Sequence, residues 1–143
     1  MYLDLQGNVV DPDQPGFDPD SSTHGGNLIQ QYCENLHHSW DDIPKTLRIT
    51  AFKPQAITLA QSVPLTAGSP EDWPVAWAGE SVVASQSAYS GLTYWKETSP
   101  GTSERKWQYL WPANYPTGRE ALQKEQLVKA GARLAQLLKA IWP

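Results

Sequence analysis

The last quarter of the chain constrains the fold most. Leu127, Gly131, Leu134, Leu138 and Ile141 recur three or four residues apart, and Val128 and Ala135 widen the stripe. This periodicity predicts a helix over residues 117–141, roughly 35 Å long at 1.5 Å per residue. A helix of that length needs partner helices along its apolar face. Gly131 in its middle costs about 1 kcal/mol against Ala, which implies close contact with a neighbouring helix. Ser69-Pro70-Glu71-Asp72 reads as the start of a second helix, with Ser69 as the cap, Pro70 in the first turn and two acids on the positive end of the dipole. Trp73, Trp77, Ser81, Ala84 and Ala88 form its inner face, and Pro74 is tolerated in its first turns. Asn35 caps a short helix over residues 36–42 that breaks near Pro44. Pro54 opens another over 55–62, and residues 62–69 are a linker. The expected fold is mainly α.

The remaining segments read as irregular. Asp11-Pro12-Asp13-Gln14-Pro15-Gly16 and Asp18-Pro19-Asp20 exclude a helix interior, so residues 1–24 are expected to be a surface loop. His24-Gly25-Gly26-Asn27 closes it, and the adjacent glycines permit positive φ and close approach of another group to the backbone. Residues 28–33 suit a short strand, half of a hairpin. Residues 91–112 read as irregular and aromatic. The 143 residues suffice for one domain, and seven Trp and six Tyr supply the area for a core without staples. Cys33 stands alone, so no internal disulfide forms. A net charge of −4 without a basic stripe argues against duplex binding through many phosphate contacts. No apolar run reaches membrane-spanning length, and Met1–Val10, without a basic start or a long apolar stretch, is not expected to be a signal peptide.

The residues that carry chemistry lie in Asn35-Leu36-His37-His38-Ser39-Trp40-Asp41. His37 and Asp41, four apart, share one face of a helix, and an imidazole with a carboxylate suits zinc. At this spacing a His and an Asp more often simply hydrogen-bond to each other on a helix surface. Two ligands are also fewer than the three or four zinc takes, so at least one more must come from elsewhere. Trp40 is expected to face the core, His38 to be solvated or to support a ligand from behind, and His24 to be a loop residue and not a ligand.

Taken in order, Gly25-Gly26-Asn27, Asn35-Leu36-His37-x-x-Trp40-Asp41, Trp77-Ala78-x-Glu80-Ser81 and the helix motif from Gln126 to Leu138 resemble the S1/P1 nuclease family over residues 24–142. The resemblance implies a helical domain of the phospholipase C/P1 nuclease type, with a short β-hairpin near the Gly-Gly-Asn loop. It also implies a cluster of three zinc ions, and cleavage of single-stranded DNA and RNA to 5′-phosphate products, with 3′-nucleotidase activity in many members. His37 and Asp41 would correspond to a ligand pair for one zinc, and Asn27 to a residue lining the substrate cleft. Tyr32 and the aromatics of 94–111 are candidates for base stacking. Glu80, Ser81 and Arg133 take packing and hydrogen-bonding roles, and Glu120, Lys124 and Glu125 a solvated helix face. Export to the periplasm or the cell exterior would follow from the family.

The sequence departs from that pattern upstream. The family's other ligands precede the Gly-Gly-Asn loop, and residues 1–23 contain no match to them. The expectation is therefore a C-terminal portion, with the N-terminal helices missing and at most one zinc partly ligated. Two other readings stand beside the nuclease: a non-catalytic fragment with one vestigial metal-binding pair, and a zinc phospholipase C-like phosphoesterase.

Overall fold

A computed structural model of the chain describes residues 1–4, 6–31, 34–96 and 105–142, with the backbone alone at 49–51 and 96. Its elements run β1 (Ile29–Gln31), β2 (Glu34–Asn35), α1 (Leu36–Asp41), α2 (Ile49–Ser62), α3 (Trp73–Tyr89), β3 (Thr93–Lys96), β4 (Trp107–Leu110) and α4 (Tyr115–Ile141). Helices predominate, but a four-stranded sheet of order β2-β1-β4-β3 makes the fold mixed α/β and corrects the mainly helical expectation. The chain divides into two compact units. The first comprises Met1–Asp42 with Gly91–Tyr115, and the second Ile43–Ser90 with Pro116–Pro143.

The first unit is built on the sheet. β1 and β2 form the expected hairpin beside the Gly-Gly-Asn loop, with Gln30 opposite Asn35 and Gln31 opposite Glu34. The other two strands correct the reading of 91–112 as irregular. β4 lies parallel to β1, with Ile29 beside Trp107, and antiparallel to β3, with Tyr94 opposite Tyr109. Along β4 Trp107 and Tyr109 are buried while Leu110 is exposed, the alternation expected of a strand with one covered face. Ile29, Leu36, Trp107 and Tyr109 are almost wholly buried and form the centre of this core.

The opening residues belong to the same core, which corrects the surface-loop reading of 1–24. Leu3 and Thr23 are fully buried, and bridges pair Tyr2 with Ser22 and Leu3 with Val9. Thr23 Oγ1 donates to the Met1 carbonyl at 2.8 Å. The Asp4 carboxylate accepts from the amides of Gln6 and Asn8, each at 2.8 Å, and fixes the turn between them. Those bonds hold its carboxyl below the usual carboxylate range, the Asn8 side chain contributing most. Trp107 Nε1 donates to the Asp4 carbonyl at 3.0 Å and fastens the turn to β4. The tip around the Asp-Pro turns is exposed as expected, as are Gln6, Asn8, Val9 and His24.

The second unit is helical. α2 begins well before the expected residue 55 and carries Pro54 in its interior. Leu47, Phe52 and Val128 form a small core, with Ala56, Leu59, Ala60 and Val63 packed against it. α3 begins at Trp73, later than expected: Ser69 closes a turn by donating to Asp72 Oδ2 at 2.9 Å, and Asp72 is the cap position. Trp73 is buried and Trp77 half-buried, as their spacing predicts. Thr66 ties the linker to α3 and α4. Its hydroxyl accepts from Trp77 Nε1 at 2.7 Å, and its backbone exchanges two bonds with the Gln136 amide at 2.8 and 2.9 Å.

Of the expected apolar stripe of α4, Val128 is buried, but most of the leucines are exposed. Leu134 is 57% and Ile141 54% exposed, and Leu127 and Leu138 are exposed as well. The helix instead turns Gln123, Arg133 and Gln136 inward, where Glu80 and Thr66 partner Arg133 and Gln136. Gly131 meets no neighbouring helix: a Cβ built there finds nothing within 4 Å, and the residue lines an open groove of about 430 Å³ with Ile57, Val63 and Leu65. Of the expected solvated face, Glu125 is exposed, while Glu120 and Lys124 are partly buried. Glu120 accepts from Thr46 Oγ1, and Lys124 Nζ reaches Gln55 Oε1 at 3.2 Å and lies 5.3 Å from the Phe52 ring centre. Among the described residues no helix is long and apolar enough to cross a membrane.

Candidate metal centre

α1 exists because Asn35 starts it and Leu36 and Ser39 anchor it. Asn35 is extended (φ −92°, ψ 156°), and its Oδ1 accepts the His38 amide at 2.7 Å, as an N-cap should. Leu36 and Ser39 are buried, which turns His37, His38 and Asp41 outward. Trp40 lies between these faces, half-buried, and its Nε1 donates to Tyr115 Oη at 2.9 Å. Trp111 stacks on Tyr115 with ring centres 5.5 Å apart, and Tyr109 meets Trp111 edge-on.

His37 Nε2 and Asp41 Oδ2 stand 3.2 Å apart, with the two side chains 47% and 69% exposed. The other ring nitrogen, Nδ1, lies 3.2 Å from the Gly25 carbonyl oxygen. A carbonyl only accepts, so this contact is a hydrogen bond in the tautomer that carries the proton on Nδ1. Nε2 is the ring nitrogen that faces the Asp41 carboxylate. Neighbouring ligands of a tetrahedral zinc, at about 2.0–2.2 Å from the metal, are themselves about 3.3–3.6 Å apart, close to the spacing observed. A backbone carbonyl on the remote ring nitrogen is also the usual way a zinc-ligating imidazole is oriented. The donor chemistry thus fits one side of a zinc site.

The loop that supplies this carbonyl is conformationally demanding. His24 has φ 48°, Gly25 φ 66° and Gly26 φ 96°. Gly25 lies close to the imidazole, since a Cβ built there would be 3.8 Å from His37 Nδ1. Asn27 is exposed on the same loop, and its Nδ2 donates to the His24 carbonyl at 2.9 Å. One amide proton therefore holds the loop, and the acceptor end of the amide is left for a ligand or solvent.

The structure brings His37, Asp41 and the Gly25–Asn27 loop together. It brings no third ligand: among the described residues no group of three or more His, Cys, Asp or Glu side chains could hold a metal ion. The stacking candidate Tyr32 lies outside the described residues, as does Cys33 at the end of the predicted strand. Tyr94 and Tyr109 are buried in the sheet core, so of the aromatics in 94–111 only Trp95 presents an extensively exposed ring. Glu80, Ser81 and Arg133 lie in the second unit. Arg133 bonds Glu80 and lies 5.8 Å from the Trp77 ring centre, while Ser81 Oγ donates to the Trp77 carbonyl at 2.9 Å. Sequence reasoning did not find the Gly25 carbonyl as the partner of His37, although the paired glycines signalled close approach of some group. No known protein family, curated protein or solved structure matches the chain.

Proposed function

We propose that this chain carries part of the metal centre of a zinc-dependent hydrolase of the S1/P1 nuclease type, acting on phosphodiester bonds of single-stranded nucleic acid. The observation that supports this reading is the orientation of His37. Its Nδ1 is committed to the Gly25 carbonyl, and its Nε2 faces Asp41 Oδ2 at 3.2 Å. His37 and Asp41 would hold the ion, and Gly25 would keep the imidazole in the ligating tautomer. Zinc bound there would acidify a water and neutralise charge on a phosphodiester. Asn27, on the loop that orients His37, would bind a base edge or a phosphate oxygen through its free amide acceptor and remaining proton. The negative net charge leaves the cation as the main attraction for phosphate.

One observation favours a second reading. The described residues bring no third His, Cys, Asp or Glu to the two candidate ligands, as expected of a non-catalytic chain with one metal-binding pair. Incubation of the purified chain with zinc and a labelled single-stranded oligonucleotide separates the two. The nuclease reading predicts 5′-phosphate products, with at least about a tenfold loss in the His37→Ala and Asp41→Asn variants, the scale of losing a ligand or its orienting shell. Zinc uptake without cleavage would favour the non-catalytic reading. Cleavage unaffected by both substitutions would sink the assignment of these residues.

A further inference from the structure

We infer that zinc joins two copies of this chain, with His37 and Asp41 from each copy completing one four-ligand site. This inference rests on the proposed role of His37 and Asp41 as zinc ligands and adds the partner. The chain offers a preformed half-site: Nε2 and Oδ2 lie 3.2 Å apart, the imidazole is already oriented by Gly25, and both side chains are open to solvent. No other His, Cys, Asp or Glu among the described residues completes the site. A second copy supplies an identical pair, and closed two-fold dimers are the commonest assemblies of identical chains. The doubled set, two imidazoles and two carboxylates, matches the four-coordinate habit of structural zinc. It is also electroneutral, because two carboxylates balance the charge of the ion. That balance matters for two chains that each carry −4 and repel one another without it. Four protein ligands leave no open coordination position, so the bridged dimer is an assembly and not a hydrolytic form.

The test is sedimentation of the full chain at several concentrations with and without zinc chloride, together with zinc stoichiometry by equilibrium dialysis. The expected result is a doubling of the 15.9 kDa mass at one zinc per two chains, reversed by chelator. His37→Ala and Asp41→Asn should stay monomeric with zinc, while His24→Ala and His38→Ala should still dimerise. Circular dichroism of each variant shows that it remains folded, and both substituted ligand side chains are substantially exposed. One zinc per chain on a monomer, lost with His37, would overturn the dimer and leave the metal reading standing. Zinc uptake unchanged by either ligand substitution would overturn both, and a dimer that forms equally without zinc would overturn the bridging role.

Discussion

At Gly7 the backbone turns with φ +87°, and a Cβ built there would lie 2.1 Å from the Tyr94 carbonyl oxygen in β3. Gly7→Ala therefore has to enter the left-handed region and displace a strand backbone. The expected cost is about 2–4 kcal/mol, read from the urea midpoint. Gly25 has a similar φ, but its nearest obstacle is the His37 ring at 3.8 Å, ordinary contact distance. Gly25→Ala should accordingly cost only about 1–2 kcal/mol, the strain of the left-handed conformation. The proximity of His37 and Asp41 was legible because one helical turn aligns positions four apart. The Gly25 carbonyl was not legible. Its direction follows from three consecutive positive φ values, one of them at His24, which no side-chain pattern encodes.

Among the described α-helices, α1 is the shortest and carries both candidate ligands. Its six residues give little helical stability of their own, so the Asn35 cap matters more than in a long helix. Asn35→Ala is expected to cost about 1 kcal/mol and to weaken zinc binding in a titration, although Asn35 is not a proposed ligand. In α4, nothing among the described residues lies within 4 Å of a Cβ built at Gly131, which reverses the expectation from its sequence. Gly131→Ala should stabilise the chain by about 0.5–1 kcal/mol, seen as a higher melting temperature. Between α3 and α4, the Arg133 guanidinium bonds Glu80 and holds its carboxyl below the usual range, with Lys129 adding to the effect. A lowered folded-state pKa stabilises above the unfolded value of about 4.3, and that stability is lost as pH falls through the folded value. Wild type should therefore lose melting temperature below about pH 4 more steeply than Glu80→Gln, while near neutrality the variant costs no more than about 1 kcal/mol. The helices were legible from period and caps. β3 and β4 were missed although Trp107-Gln108-Tyr109-Leu110 alternates between buried and exposed, because the many aromatics of that stretch were read as irregular. The faces of α4 were misjudged because Glu80 and Thr66, far away in sequence, supply partners that draw Arg133 and Gln136 inward.

Across the whole molecule, the chain alternates between its two units, so neither is a continuous segment. That interleaving explains why a left-to-right reading took Met1–Val10 for loose loop: its partners Thr23, Tyr94 and Trp107 come later in the chain. The functional account needs only the first unit, where α1 and the glycine loop meet, and it turns on the protonation and ligation of one imidazole. The most direct measurement is nitrogen-15 NMR of the histidine rings during titration with zinc. The account predicts that His37 keeps its proton on Nδ1, and that zinc shifts Nε2 in the sense of coordination, an effect absent in Asp41→Asn. A His37 ring protonated only on Nε2, with neither nitrogen responding to zinc, would contradict it.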